Sequence, residues 1–142
     1  GNDIHDTLGY NFKITDMQSI LGLEQLKNVK DRIKKKKEIF NLYKEKLKSN
    51  KKIILFDFKP NETPWSVDIY SKHISKIKKI LNKNKIYTRD VYPPLNSQKI
   101  YKNYKGLPVS NKYCNNGLWL PSSLDIKTKD IDKICLILNK NI

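Results

Sequence analysis

From Thr15 to Lys48 the chain carries one continuous run of helical periodicity, which constrains its fold more than any other feature. Met17, Ile20, Leu21, Leu23, Leu26, Val29, Ile33, Phe40, Tyr43 and Leu47 recur at helical spacing. Thr15, with Gln18 three residues on, reads as an N-cap and capping box. After Gly22 neither Pro nor Gly interrupts the pattern. The spacing predicts a single helix from 15 to about 48, a rod of about 50 Å at 1.5 Å per residue. A rod of that length needs another domain or subunit to pack against. The apolar seam thins between Ile33 and Phe40, where Lys34 to Lys37 crowd in. That argues against a coiled coil and reads as a solvated face.

Shorter elements follow. Ile53 to Phe58 is an apolar run of strand length, and Trp65 to Tyr70 alternates with the strand period. Ile74, Ile77, Ile80 and Leu81 mark an amphipathic helix. Ile86 to Arg89 reads as another strand, ended by the rigid Pro93-Pro94 pair. Residues 96–116 read as loop and short helix, and 117–121 as a brief strand. Thr128 is the expected cap of a last helix with Ile131, Ile134, Cys135 and Leu138 on one face. Trp65 and Trp119 are expected in the core, and His5 and His73 to be structural or exposed. The order predicts a small α+β unit whose antiparallel or mixed sheet is covered by helices.

A chain of 142 residues supports one domain with a modest core, and 38% hydrophobic residues is low for a self-sufficient globule. The net charge of +15 raises the reading of a nucleic-acid or anionic-surface binder. Of 29 basic residues, however, only Arg32 and Arg89 are arginine, and the chain has no alanine. That is the drift of an AT-rich coding sequence. A surface selected for nucleic acid exploits arginine's planar fork. Cys114 and Cys135 lack metal-ligand spacing and read as reduced thiols of a cytoplasmic protein. No apolar run approaches the ~18 residues of a membrane span, and no signal-peptide pattern precedes the first helix. The opening on Gly1 rather than Met reads as an excised or split piece.

Three segments together resemble a known family. The first is Gly9-Tyr10-Asn11-Phe12-Lys13 with Thr15-Asp16-Met17-Gln18 and 21–26. The second is Thr88-Arg89 with Tyr92-Pro93-Pro94-Leu95-Asn96-Ser97-Gln98 and Tyr101. The third is Leu107-Pro108-Val109 with 117–123 and 130–132. In order and spacing they resemble the DegT/DnrJ/EryC1/StrS sugar aminotransferases, nearest the perosamine-synthase-like branch, over nearly the whole chain. The resemblance implies the C-terminal small domain of a fold type I, aspartate aminotransferase-like enzyme that uses pyridoxal phosphate. Residues 1–14 would be a leading segment with the cofactor-phosphate motif, and 15–142 the small domain with its long interdomain helix. Such enzymes are normally homodimers with active sites at the subunit interface. They pass an amino group, usually from glutamate, to a keto sugar linked to a nucleotide.

Carried over by that resemblance, Asn11 would reach a neighbouring subunit's cofactor phosphate, a task suited to a non-titrating amide. Its bland alternative is a turn residue bonding its own backbone. Lys13 stands where the family usually has arginine; it would meet a substrate carboxylate or phosphate without the bidentate fork, or is one more surface lysine. Tyr92 and Asn96, the latter a histidine in many relatives, would wall the sugar-nucleotide site or simply pack a loop. Arg89, rare in a lysine-rich chain, is a candidate for a specific anion contact or a buried ion pair. The family's Schiff-base lysine and the acid beside the pyridine nitrogen lie upstream of the Gly-Tyr-Asn motif, so no catalytic residue is assigned. The cofactor is not expected to bind stably to this chain alone, and the chain alone is expected not to transaminate. The partners implied are a nucleotide-linked sugar, an amino donor, and a missing large domain or second subunit. Two other readings remain: a non-enzymatic basic module, and an interaction subunit that completes a partner's active site.

Overall fold

The computed structural model describes residues 4–7, 9–10, 13–101 and 106–142. Helix α1 (Asp16–Leu26) starts at the expected cap. The Gln18 N–H donates to Thr15 Oγ1 (3.4 Å), and the Thr15 N–H donates back to Gln18 Oε1 (2.9 Å). The single rod does not form. The ladder breaks at Lys27 and Asn28, whose N–H groups donate to carbonyls three residues back at 3.3 Å each. A second helix, α2 (Val29–Leu47), then begins. Asn28 sits at φ −103°, ψ 10°, outside helical values. Asparagine is a weak helix former, so neither Pro nor Gly was needed for the break.

Four short strands follow: β1 (Ile54–Leu55), β2 (Val67–Tyr70), β3 (Arg89–Asp90) and β4 (Gly117–Leu120). They form one sheet, ordered β1-β2-β4-β3, in which every neighbouring pair is antiparallel. Helix α3 (Ile74–Lys83) links β2 to β3, a short helix α4 (Pro108–Asn115) precedes β4, and α5 (Thr128–Asn141) closes the chain. Thr128 is the first residue of α5 rather than its cap; Lys127 holds that position without a side-chain bond. The strands are shorter than the apolar runs that announced them, because pairing rather than hydrophobicity ends a strand.

The pleat sorts the sheet's two faces. Val67 and Ile69 on β2, with Leu118 and Leu120 on β4, point into the core. There they meet Ile39, Phe40, Tyr43 and Leu47 of α2, Ile77 and Leu81 of α3, and Ile131, Ile134 and Leu138 of α5. The Tyr43 hydroxyl is satisfied by donating to the Pro121 carbonyl (2.8 Å), and burial drives its pKa far up. Buried Ser71 donates to the Lys52 carbonyl (2.7 Å) and accepts from the His73 N–H (3.1 Å), which supports the start of α3. His5 and His73 are both exposed. Helix α3 ends in a Schellman arrangement: Ile86 N–H reaches the Leu81 carbonyl and Lys85 N–H the Asn82 carbonyl, both at 2.9 Å. Its left-handed residue is Lys85 (φ 57°), where glycine is usual. Both cysteines are free; Cys135 is buried and Cys114 half-buried.

The Lys34 to Lys37 run is not simply solvated. Lys36 Nζ donates to the carbonyls of Trp65 (2.9 Å) and Ser122 (2.8 Å), and Lys37 Nζ to that of Pro60 (2.8 Å). These bonds tie α2 to the loop before β2 and the loop after β4. Trp65 is not in the core either. It is 83% exposed, because it lies before the first paired residue of β2 and the pleat does not turn it inward. Trp119, half-buried, lies on the opposite sheet face from Leu118 and Leu120.

Candidate functional site

The sheet's outer face and the long excursion from 91 to 116 bring the sequence motifs together. Trp119 pairs across with Asp68 on one side and Arg89 on the other, so all three share that face. The Arg89 guanidinium lies 4.9 Å from the Tyr92 ring centroid and 5.3 Å from that of Trp119. The two rings meet edge to face at 5.0 Å. A cation over two aromatic faces keeps its charge while its orientation is set by packing. The approach of this loop to the sheet requires Gly117: a β-carbon there would lie 2.7 Å from both the Tyr113 carbonyl oxygen and Val91 Cγ2.

The leading segment docks on the Pro93-Pro94 loop. The His5 N–H donates to Oε1 of buried Gln98 (2.8 Å), and Asp6 pairs with Lys99 (2.6 Å). Between segment and loop lies a cleft of about 540 Å³, bordered by His5, Thr7, Gly9, Tyr92, Leu95 and Tyr101 among others. Asn96 turns the other way. Its amide donates to Asn111 Oδ1 (3.3 Å), and its own Oδ1 is buried with no hydrogen-bond partner. It borders a smaller cavity of about 290 Å³ with Leu95, Tyr101 and Leu107.

Of the residues proposed from sequence, Arg89 and Tyr92 are in direct contact, and Asn96 lies four residues along the same excursion. Lys13 is exposed just ahead of α1. Asn11 lies outside the described residues. Sequence reading missed Trp119 as Arg89's platform and Gln98 as the anchor of the leading segment. Cross-strand register reveals the first, and only the fold the second. Among the described residues no cluster of three His, Cys, Asp or Glu side chains could hold a metal ion. No described helix is long and apolar enough to cross a membrane.

Residues 1–139 match the DegT/DnrJ/EryC1/StrS aminotransferase family. The chain belongs to that family. It is similar to the GDP-perosamine synthase of Escherichia coli O157:H7, with 27% identity over 140 residues. It is also similar to the dTDP-4-amino-4,6-dideoxy-D-glucose transaminase of Escherichia coli, at 28% over 144. These matches take in 96% and 92% of this chain, but it spans only 38% of the length of either relative. Among solved structures, a DegT DnrJ EryC1 StrS aminotransferase from Brucella abortus superposes with a TM-score of 0.79 at 26% identity, over 96% of this chain and 39% of that one. A protein from S. venezuelae, solved in complex with a ketimine intermediate, reaches 0.83 at 17% identity over 96% and 38%. At that identity the likeness establishes the fold alone, and the fold is that of the small mixed helix-and-sheet part of these enzymes.

The family depends on pyridoxal phosphate, which requires a lysine amine for the Schiff base and an acid at the pyridine nitrogen. The described residues do not fit that reactive end. Among the described residues, the cleft beside Pro93 is bordered by no Lys, Asp or Glu. Burial lowers the pKa of Lys36, the direction a Schiff-base lysine needs, but its amine is engaged by two backbone carbonyls.

Proposed function

We propose that this chain is the C-terminal lobe of a sugar aminotransferase that moves an amino group, from glutamate as donor, onto a nucleotide-linked keto-deoxy sugar. In this reading the reactive lysine belongs to a large domain that the 142 residues do not include, and this chain alone does not transaminate. Asn11 reaches the cofactor phosphate across an interface. Lys13, Arg89, Tyr92 and Asn96 attend the substrate. Cytoplasmic location suits nucleotide-sugar chemistry.

One observation carries the reading. The family match runs through nearly all of this chain but only 38% of the relatives' length, and helix α1 has no buried residue. Met17, Ile20, Leu21, Leu23 and Leu26 are each at least 60% exposed. An apolar stripe of that extent is what a covering lobe would bury. It also weakens the nucleic-acid reading, since this bare surface is greasy rather than cationic.

The test mixes this chain with a large-domain chain of the family that bears the Schiff-base lysine, and assays amino transfer to a nucleotide-linked keto sugar. Activity is expected only in the mixture. A covalent cofactor–lysine adduct trapped by borohydride on the isolated chain would overturn the claim that the lysine lies elsewhere. The absence of any activity gain on mixing would remove the completing-lobe reading. Steeply salt-dependent binding to a DNA duplex would favour the basic module instead.

A further inference from the structure

The sheet has two ends. At one, Tyr70 lies opposite Gly117, and β3 runs on toward Tyr92 and the Pro-Pro loop. At the other, Val67 lies opposite Leu120, and β3 is entered from the turn after α3. That second end carries a concavity of about 620 Å³, bounded by residues 84–87, the loop after β4 and the first half of α5. Its volume is in the range of small-molecule sites. Along Tyr87, Pro121 and Ser123 it meets a neighbouring depression of about 460 Å³ that extends to Trp65. Tyr87 and Trp65 are 80% and 83% exposed, so both rings are bare along one continuous surface.

The floor is apolar: Ile134 is buried, and Ile86, Pro121 and Ile126 are half-buried. The rim carries Lys85, Lys133, Asp125 and Asp130. Among the described residues, none of these four side chains forms a hydrogen bond or an ion pair. Two ammonium groups therefore balance two carboxylates, in a chain whose net charge is +15. A pocket for an anion would not make half of its charged groups carboxylates. Lys36 and Arg89 border the neighbouring depression but are committed elsewhere. The Lys36 amine donates to two carbonyls, and Arg89 packs on the Tyr92 and Trp119 rings.

A sugar ring matches this combination. Its C–H faces are apolar and stack on an aromatic ring, whereas its hydroxyls both donate and accept. A carboxylate accepts from neighbouring hydroxyls, and an ammonium donates to hydroxyl or ring oxygens. Two bare rings along one surface suit more than one sugar unit. We propose that this groove binds an uncharged oligosaccharide, with one unit stacked on Tyr87, its hydroxyls shared between the Asp125 and Asp130 carboxylates and the Lys85 and Lys133 ammonium groups, and the next units running toward Trp65. The site calls for no phosphate and no cofactor. It goes beyond the amino-transfer reading and does not depend on it.

The test is a nitrogen–proton correlation titration of the 142-residue chain with maltohexaose, mannohexaose and the N-acetylglucosamine hexamer, all uncharged. At least one is expected to move the amide resonances of residues 84–87, 122–126 and 130–134 and the Trp65 indole N–H. The affinity should be the same in dilute and in molar salt, since no net charge is neutralised. Tyr87→Ala, at an exposed position, should weaken binding about tenfold through loss of the stacking ring. Asp125→Asn, in an exposed loop, should weaken it about tenfold, the scale of one hydrogen bond to a charged group. Resonances unmoved by millimolar concentrations of all three sugars in a folded chain would overturn the site. So would shifts confined to Tyr92 and the Pro-Pro loop, or unchanged affinity in both variants. Binding of inorganic pyrophosphate at the same residues, steeply weakened by salt, would overturn the assignment of an uncharged ligand. A failed mixing assay with a large-domain chain would remove only the aminotransferase reading.

Discussion

Helix α1 and the second half of α2 carry similar apolar periodicity but meet opposite fates. Ile39, Phe40, Tyr43 and Leu47 of α2 are at most 5% exposed, sealed by the sheet and α5. On α1 none is buried. The change comes along α2 itself, where Val29 and Ile33 are 37% and 36% exposed and Lys36 and Lys37 are pinned to loop carbonyls. One stretch of helical pattern thus serves two cores, one inside this chain and one that requires another surface.

Truncating the packed half should have the largest effect. Leu138→Ala, at a residue with no exposure, should cost about 2–5 kcal/mol in urea unfolding, through lost burial plus a cavity. Gly117→Ala should cost about 1–3 kcal/mol, because its β-carbon would collide with the Tyr113 carbonyl and Val91. It should also alter Tyr92 and Trp119 fluorescence as the loop lifts from the sheet. Lys85→Gly should stabilise by about 0.5–1 kcal/mol, by relieving a left-handed residue at the end of α3; a loss of stability would mean the Lys85 side chain packs usefully there.

Asp68 gives a pH signature on the sheet's outer face. Burial raises its carboxyl pKa above the ordinary 3.8, with the Ser66 hydroxyl opposing. The folded chain therefore holds that proton more tightly than the unfolded one. The contribution to stability is full below 3.8 and is lost as pH rises through the raised folded value. Relative to wild type, Asp68→Asn should gain as pH rises through that window, measured as urea midpoints across a pH series; a flat difference would contradict it. The smallest effect belongs to α1. Leu23→Gln with Leu26→Gln should leave the isolated chain within about 0.5 kcal/mol of wild type, while impairing reconstitution with a large-domain chain. A loss comparable to that of Leu138→Ala would erase the contrast between the two helices.

Much of the fold was legible because periodicity and caps are local. The capping box at Thr15, the buried stripe of α5 and the positions of three strands follow from residue spacing, whereas β3 overlaps its expected run, 86–89, only at Arg89. The break at Asn28 was not, since it arises from modest propensities rather than from a Pro or Gly. The site was partly legible. The motifs singled out Arg89, Tyr92 and Asn96, but Trp65 and Trp119 were assigned to the core by their size alone. Size gives hydrophobic content, whereas the pleat and the pairing register decide which side of a sheet a ring occupies.

By itself the amino-acid sequence determined the class of fold, the helical stripes, the family to which the chain belongs and the scarcity of arginine that makes Arg89 notable. Only the tertiary structure decided that Trp119 lies under Arg89, that Lys36 clamps two loops, that Gln98 anchors the leading segment, and that α1 remains uncovered. The reason is physical. Helical phase and capping depend on neighbours three or four residues away, whereas these contacts join residues 29 to 93 positions apart, or strands brought side by side.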